Sequence, residues 1–279
     1  MTTLVIGANG RIGRSVLDQL LAMRVPLRAG VLDVGSAGDL PAGVPVVPAD
    51  LNKPDTLKAA LQGVRNVFVY SFPKGIEDFI DASTNAGVEH IVLLSSGSIL
   101  LPSAAGNSIA EEHRQVERAL TESGVRYTPI RPLVLAHNAL SWAHSIRTDN
   151  IARMARPESL TAPIHERDIA AFAVAALTGR AGDRISDLLT GGQLLSHRRQ
   201  VELIGEALGR PIRIEELSDA QAREQFSRFM PHETAEAIVE LIIDADGGGS
   251  PATDTAQRVL GRPPISFRQW AIEHSADFR

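Results

Sequence analysis

Gly7, Gly10 and Gly13 stand three residues apart, between the apolar run Leu4-Val5-Ile6 and a stretch that carries Ile12, Val16, Leu20 and Leu21 on one helical face. A strand, a glycine loop and a helix in that order make a phosphate-binding turn. Gly7 permits the tight exit from the strand, Gly10 keeps a Cβ away from an approaching diphosphate, and Gly13 lets the helix pack close to the sheet. In Gly7-Ala8-Asn9-Gly10-Arg11-Ile12-Gly13 the amides of Arg11 and Ile12 open the helix, where N–H groups and the helix dipole both favour an anion. Asn9 belongs to the same loop. This spacing, with a βαβ pattern downstream, points to a dinucleotide.

Two carboxylates can serve the adenosine end. Asp33 closes the second apolar run and can accept from an adenine ribose; Asp50-Leu51 closes the third, where a carboxylate and an apolar edge can hold an adenine. Arg11 and Arg14 can pair with a 2′-phosphate, which favours NADP, whereas Asp33 repels one. NAD and NADP both remain open.

Other chemistries are poorly served. With no cysteine, a disulfide framework, a thiolate zinc site and a cysteine nucleophile are excluded. None of the eight histidines falls in His-x-x-x-His or His-Glu-x-x-His, so no metal is expected, and there is no Gly-x-Ser-x-Gly elbow. A net charge of −5 gives no broad positive field for nucleic acid. No apolar run approaches the ~20 residues that span a bilayer, and the amino terminus lacks the basic start and apolar stretch of a signal peptide. A cytoplasmic protein with a small-molecule substrate is expected.

The elements that must position these residues alternate. Strands are expected at Leu4–Ile6, Leu27–Leu32, Val44–Val47, Asn66–Tyr70, Ile91–Leu94 and Tyr127–Ile130. Helices are expected at Arg11–Leu21, Pro54–Leu61, Ile76–Asn85 and Ser108–Thr121, several stopped by a glycine. Apolar strands alternating with helices predict an α/β fold: a Rossmann-type doubly wound parallel sheet. Beyond Arg131-Pro132 the rhythm loosens. A helical segment at 138–145 precedes Arg/Met/Pro-rich sequence, then an apolar helix at Asp168–Leu177 capped by Glu166-Arg167-Asp168. One more sheet strand is expected at Ile185–Leu189, a short strand at Ile212–Ile214, and a flexible joint at Gly247-Gly248-Gly249-Ser250-Pro251. The expected division is a dinucleotide-binding domain at 1–132 and 165–192, with a small, mainly helical substrate-side cap at 133–164 and 193–279.

Taken together the chain resembles the atypical short-chain dehydrogenase/reductases, in particular the NmrA-like NAD(P)-binding group. The resemblance rests on the glycine loop, Val47-Pro48-Ala49-Asp50-Leu51, Ile91-Val92-Leu93-Leu94-Ser95-Ser96, Tyr127-Thr128-Pro129-Ile130-Arg131-Pro132 and Ile164-His165-Glu166-Arg167-Asp168-Ile169-Ala170. It implies a nicotinamide cofactor along the carboxyl edge of the sheet and substrate between that edge and the cap. Ser95 and Ser96 would then border the nicotinamide ribose, and Tyr70 and Ser71, at the fourth strand's end, would touch the nicotinamide or ribose side.

Typical members of that superfamily carry Tyr-x-x-x-Lys on a helix, the lysine easing proton transfer by the phenol. Here the tyrosines are Tyr70 and Tyr127 and the lysines Lys53, Lys58 and Lys74. Tyr70 and Lys74 have the spacing, but Pro73 between them disfavours helix at Phe72. The dyad positions fall on Ile109 and His113, and the assisting serine on Gly97, flanked by Ser96 and Ser98. His113 is the catalytic candidate because imidazole titrates near neutrality; Glu112, or water with the nicotinamide ribose, are the alternatives. The expected function is an NAD(P)H-dependent reductase of a small quinone or conjugated carbonyl. A non-catalytic NAD(P)-sensing regulator and a redox-neutral isomerase or cyclase of specialised metabolism are the alternatives.

Overall fold

The computed structural model describes residues 2–38, 40–181, 185–248 and 250–279; Gly249 of the expected glycine joint lies outside them. Its strands are β1 (Thr2–Ile6), β2 (Leu27–Val31), β3 (Val46–Pro48), β4 (Val64–Tyr70), β5 (His90–Leu94), β6 (Tyr127–Pro132), β7 (Ile151–Ala155), β8 (Leu160–Thr161), β9 (Leu188–Leu189), β10 (Leu195–Ser196) and β11 (Arg213–Leu217). The helices are α1 (Arg11–Ala22), α2 (Pro54–Ala60), α3 (Ile76–Asn85), α4 (Ser108–Ser123), α5 (Ala143–Asp149), α6 (Glu166–Leu177), α7 (His197–Leu208), α8 (Asp219–Ser227), α9 (His232–Asp246), α10 (Thr255–Leu260) and α11 (Phe267–Glu273).

The chain divides into two compact units. One comprises Met1–Ser96, Glu112–Arg131 and Glu166–Asp187; the other comprises Gly97–Glu111, Pro132–His165 and Leu188–Arg279. The first carries the main-sheet strands in the order β3-β2-β1-β4-β5-β6. The pairs β1–β2, β2–β3, β1–β4, β4–β5 and β5–β6 are all parallel. The order reverses between β1 and β4, as in a doubly wound Rossmann sheet. Central strands with both faces covered need apolar residues at every position, and all five residues of β5, His90 included, are buried. Leu4, Leu57, Leu61, Val67, Phe79, Ile91, Leu93, Val116 and Leu120 fill one core cluster of this unit.

The second unit gathers around Trp142, Ile146, Leu203, Ile204, Phe267, Trp270 and Phe278. Trp270 is fully buried and stacks on Phe267 with centroids 5.1 Å apart. Phe229, by contrast, is 82% exposed and packs no core.

The expected elements of the first half stand within a few residues, α3 without any shift. The third strand begins later than expected, at Val46, because Val44 follows the turn at Gly43 (φ +84°). The expected helix at 138–145 is a 3-10 segment, Ala136–Trp142, that runs into α5. Glu166, Arg167 and Asp168 are the first turn of α6 rather than residues preceding it, and the two acids there suit the helix dipole. The sequence reading missed β7. Its five residues, Ile-Ala-Arg-Met-Ala, hold only one β-branched side chain, and its partner β11 lies about sixty positions further on, in parallel register Ile151↔Arg213 to Ala155↔Leu217.

Burial under the sheet sets a pH dependence. His90 is 4% exposed, its Nε2 lies 2.8 Å from Thr128 Oγ1, and desolvation, with Arg126 nearby, lowers its pKa to about 4. An unfolded histidine binds its proton near pH 6.5, so between pH 6.5 and about 4 the unfolded state holds a proton that the folded one refuses. Folding stability therefore falls as pH drops through that window. In urea unfolding at pH 7 and pH 5, His90→Asn is expected to lose less stability than wild type; equal losses would contradict this.

Candidate functional site

The loop after β1 turns through Gly7 at φ +73°, and the amides of Gly7 and Ala8 both donate to the Gly30 carbonyl of β2, at 2.9 and 3.1 Å. Gly10 donates to Gly7 O at 2.9 Å, and Arg14, donating to Gly10 O at 2.7 Å, closes the first turn of α1. Three helix-opening amides precede it: Arg11, Ile12 and Gly13. None has an intrahelical acceptor. The Gly13 amide donates to the Tyr70 hydroxyl at 3.1 Å, which leaves Arg11 and Ile12 presenting theirs at the positively polarised end of the helix. No side chain caps this helix at Gly10.

Close approach explains the glycines. A Cβ on Gly13 would lie 2.2 Å from Gly7 O, so helix and loop touch there backbone to backbone. A Cβ on Gly7 would lie 2.2 Å from Cε2 of Tyr70, and one on Gly10 would lie 3.0 Å from the Tyr70 hydroxyl. The phenol ring, at the end of β4 and edge-on to Phe68, is thus lodged inside the glycine loop. The expectation set Tyr70 at the nicotinamide or ribose side; the structure sets its hydroxyl against Gly13. Lys74 sits beyond it in the 3-10 turn Pro73–Gly75, so Tyr70 and Lys74 share no helix.

On the adenosine side, Asp33 follows β2 and its Oδ1 accepts from the Gly35 amide at 2.9 Å, capping the turn Val34–Ser36. Asp50 is buried and accepts from the Asn52 amide at 2.9 Å; that bond is the main reason its carboxyl is held below the usual range. Leu51 follows, half-buried, its carbonyl so near Gly75 that a Cβ there would clash at 2.1 Å. Arg11 is exposed, and Arg14 holds Asp18 at 2.9 Å.

Just after β4 and within α4 lie polar groups the core does not explain. Ser71 Oγ and His113 Nδ1 are both buried without a hydrogen-bond partner. Buried polar atoms are usually hydrogen-bonded, so both call for an explanation. Burial lowers the His113 pKa against a smaller opposing pull from Glu117, so the imidazole is neutral at pH 7. Ser95 turns inward: its Oγ donates to Glu117 Oε1 at 2.6 Å, while Ser96 is half-buried. Glu117 in turn takes a two-point grip from Arg131, Nε to Oε1 at 3.0 Å and Nη2 to Oε2 at 2.5 Å, and Arg131 Nη1 donates to Ser186 O at 2.9 Å.

Sequence reasoning passed over Glu117. The available signal was a carboxylate one helical turn after His113, beside buried Val116, with an arginine in the following strand. The Ser95–Glu117–Arg131 chain anchors the end of β5 to α4 and β6 inside the first unit.

A glycine-lined turn with two presented amides at a helix start fits the diphosphate of a nucleotide. Among the described residues no group of histidines and carboxylates can hold a metal ion, and no helix is long and apolar enough to cross a membrane. A cavity of about 500 Å³ in the second unit is lined by Arg156, Glu216, Ser218, Asp219 and Asp246, with Arg156 bridging Asp219 and Asp246; it holds none of the residues singled out above.

Breaking a buried, hydrogen-bonded ion pair from one side leaves an unpaired charge and costs about 3 kcal/mol. Glu117→Gln is therefore expected to lower unfolding stability by roughly that amount in urea titration. A loss no larger than that of an exposed Arg–Glu pair would contradict the role given to this network.

Residues 7–180 match the NAD(P)H-binding family. Along 99% of its length the chain is 34% identical to the (4-alkanoyl-5-oxo-2,5-dihydrofuran-3-yl)methyl phosphate reductase of Streptomyces griseus, covering 98% of that protein. It is likewise 34% identical to the NAD(P)H azoreductase of Xenophilus azovorans, covering 99% of this chain and 98% of the other. Among solved structures, the NADPH-dependent quinone oxidoreductase of Escherichia coli complexed with NADPH superposes with a TM-score of 0.81 at 24% identity, covering 98% of this chain and 99% of that one, a likeness of fold. The chain belongs to the NAD(P)H-binding family, and its cofactor is NAD(P).

Proposed function

We propose that this protein is an NAD(P)H-dependent reductase of a small quinone or conjugated carbonyl. The observation that carries the reading is that two full-length relatives, each 34% identical, are both reductases. The site residues support it. The Arg11 and Ile12 amides, with Gly7, Asn9, Gly10 and Gly13, would hold the diphosphate; Asp33, Asp50 and Leu51 the adenosine; and Ser71 and Ser96 the nicotinamide end, the Ser95 hydroxyl being turned onto Glu117 instead. A reduced nicotinamide supplies a hydride, that is, two electrons with a proton.

The acceptor then needs one more proton, and the residues present narrow its source. With Ile109 and His113 where the dyad would stand, no phenol is paired with a lysine. His113, neutral through burial, is a weak reserve of protons but a competent hydrogen-bond donor to an oxyanion. An electron-poor ring suits such a site, because its reduced form is a stabilised anion that water can protonate. Asp33 would oppose a 2′-phosphate, Arg14 is held by Asp18, and the exposed Arg11 is the cation left to receive one. Both cofactors therefore enter the test. The missing dyad favours a second reading, a dinucleotide-binding regulator without turnover.

Following absorbance at 340 nm with quinones, enones and azo compounds as acceptors separates the two. The reductase reading expects oxidation of NADH or NADPH with at least one acceptor, and a His113→Ala rate lowered about tenfold through loss of one hydrogen bond to the oxyanion. Saturable binding with no oxidation across the panel would favour the regulator. Unchanged turnover in His113→Ala would remove that residue alone.

A further inference from the structure

Tyr70 does more than fill space beneath the glycine loop. Its hydroxyl has one proton and two lone pairs. One lone pair accepts the Gly13 amide at 3.1 Å. For the proton, the acceptor the fold offers is Gly7 O at 3.5 Å, the outer limit of a hydrogen bond. That carbonyl already accepts the Gly10 amide at 2.9 Å. The phenol thus accepts one hydrogen bond and has its proton poorly served, beside the Arg11 and Ile12 amides that open α1. Burial pushes its pKa up, so the proton stays in place at physiological pH.

The geometry is built rather than incidental. Three glycines crowd the ring and hydroxyl, and a methyl on Gly7 or Gly10 would meet them at 2.2 and 3.0 Å. Tyr70 ends β4, the strand beside β1 across the point where the sheet order reverses. A rigid aromatic ring there delivers a hydroxyl from the neighbouring strand into the loop without any flexible arm.

We propose that the Tyr70 hydroxyl donates a hydrogen bond to the diphosphate of the bound dinucleotide, acting as a third donor beside the Arg11 and Ile12 amides while it holds the Gly13 amide. The inference rests on NAD(P) occupying the glycine loop and assigns this chain a side-chain contact to the diphosphate. A phenol donating to a charged phosphate is worth about tenfold or more in affinity.

Calorimetric titration with NADH and with ADP-ribose, which keeps the diphosphate but lacks nicotinamide, tests it in wild type and Tyr70→Phe. The expected result is binding of both ligands about tenfold weaker in the variant. The phosphorus NMR resonances of the bound diphosphate should also shift between the two proteins, and a crystal structure of wild type with NADH separates a direct contact from the mere loss of the Gly13 amide's acceptor. Equal affinities with superposable phosphorus spectra would overturn the proposal. If Tyr70→Phe does not fold, a crystal structure of wild type with NADH decides. A phenol oxygen within 3.2 Å or so of a phosphate oxygen supports the contact; a ring swung out of the loop to admit the diphosphate overturns it. Failure of wild type to bind either ligand would remove the cofactor reading itself, and this contact with it.

Discussion

The fold's chemistry depends on one close approach, that of the third residue of α1 to the carbonyl that opens the loop. With a Cβ of Gly13 placed 2.2 Å from Gly7 O, no other side chain can stand there without moving the backbone. Because helix and loop touch at that point, the first two amides of α1 are held in a fixed fan at the carboxyl edge of the sheet. The positive φ of Gly7 and its twin bonds to Gly30 O lock the other end of the turn to β2. An anion site made of backbone is preorganised by packing alone, and its strength comes from donors that need no reordering when the ligand arrives.

Two buried side-chain arrangements extend that rigidity. Tyr70 carries the β4 strand into the loop and satisfies the one early amide that would otherwise face the interior. Glu117, gripped by Arg131 and bonded by Ser95, ties the end of β5 to α4 and β6. Both devices sit at strand ends, where a parallel sheet presents its ligands. Neither resembles the tyrosine and lysine pair of the wider superfamily. Among the described residues no tyrosine shares a helix with a lysine, so the reductase proposed above suits an acceptor that needs little acid assistance.

Much of this was legible in the residues. Apolar runs bounded by glycine place β1, β4, β5, α1 and α3 almost without error, since a two-sided parallel sheet demands continuous apolar strands and its helices an apolar stripe. The glycine loop could be read because each glycine answers a steric demand that no other residue meets. What stayed hidden was side-chain reach. Tyr70 reads as a strand-end residue near the nicotinamide, yet an aromatic ring crosses to the adjacent strand, and linear spacing carries no sign of that. Glu117 hides among the charged residues of α4, where burial of a single carboxylate shows only once Arg131 is placed opposite. The β7–β11 pair escaped for a different reason: a short strand poor in β-branched residues, partnered from far along the chain, leaves little local pattern.

The most direct test of the close approach is the thermal midpoint of Gly13→Ala, measured with and without NADH. Helix propensity by itself favours alanine over glycine by about 1 kcal/mol, so propensity and packing predict opposite signs. If the loop carbonyl lies against Gly13 as described, the variant melts below wild type and gains little from NADH. A variant that melts above wild type, with the full NADH-dependent rise, would contradict the account.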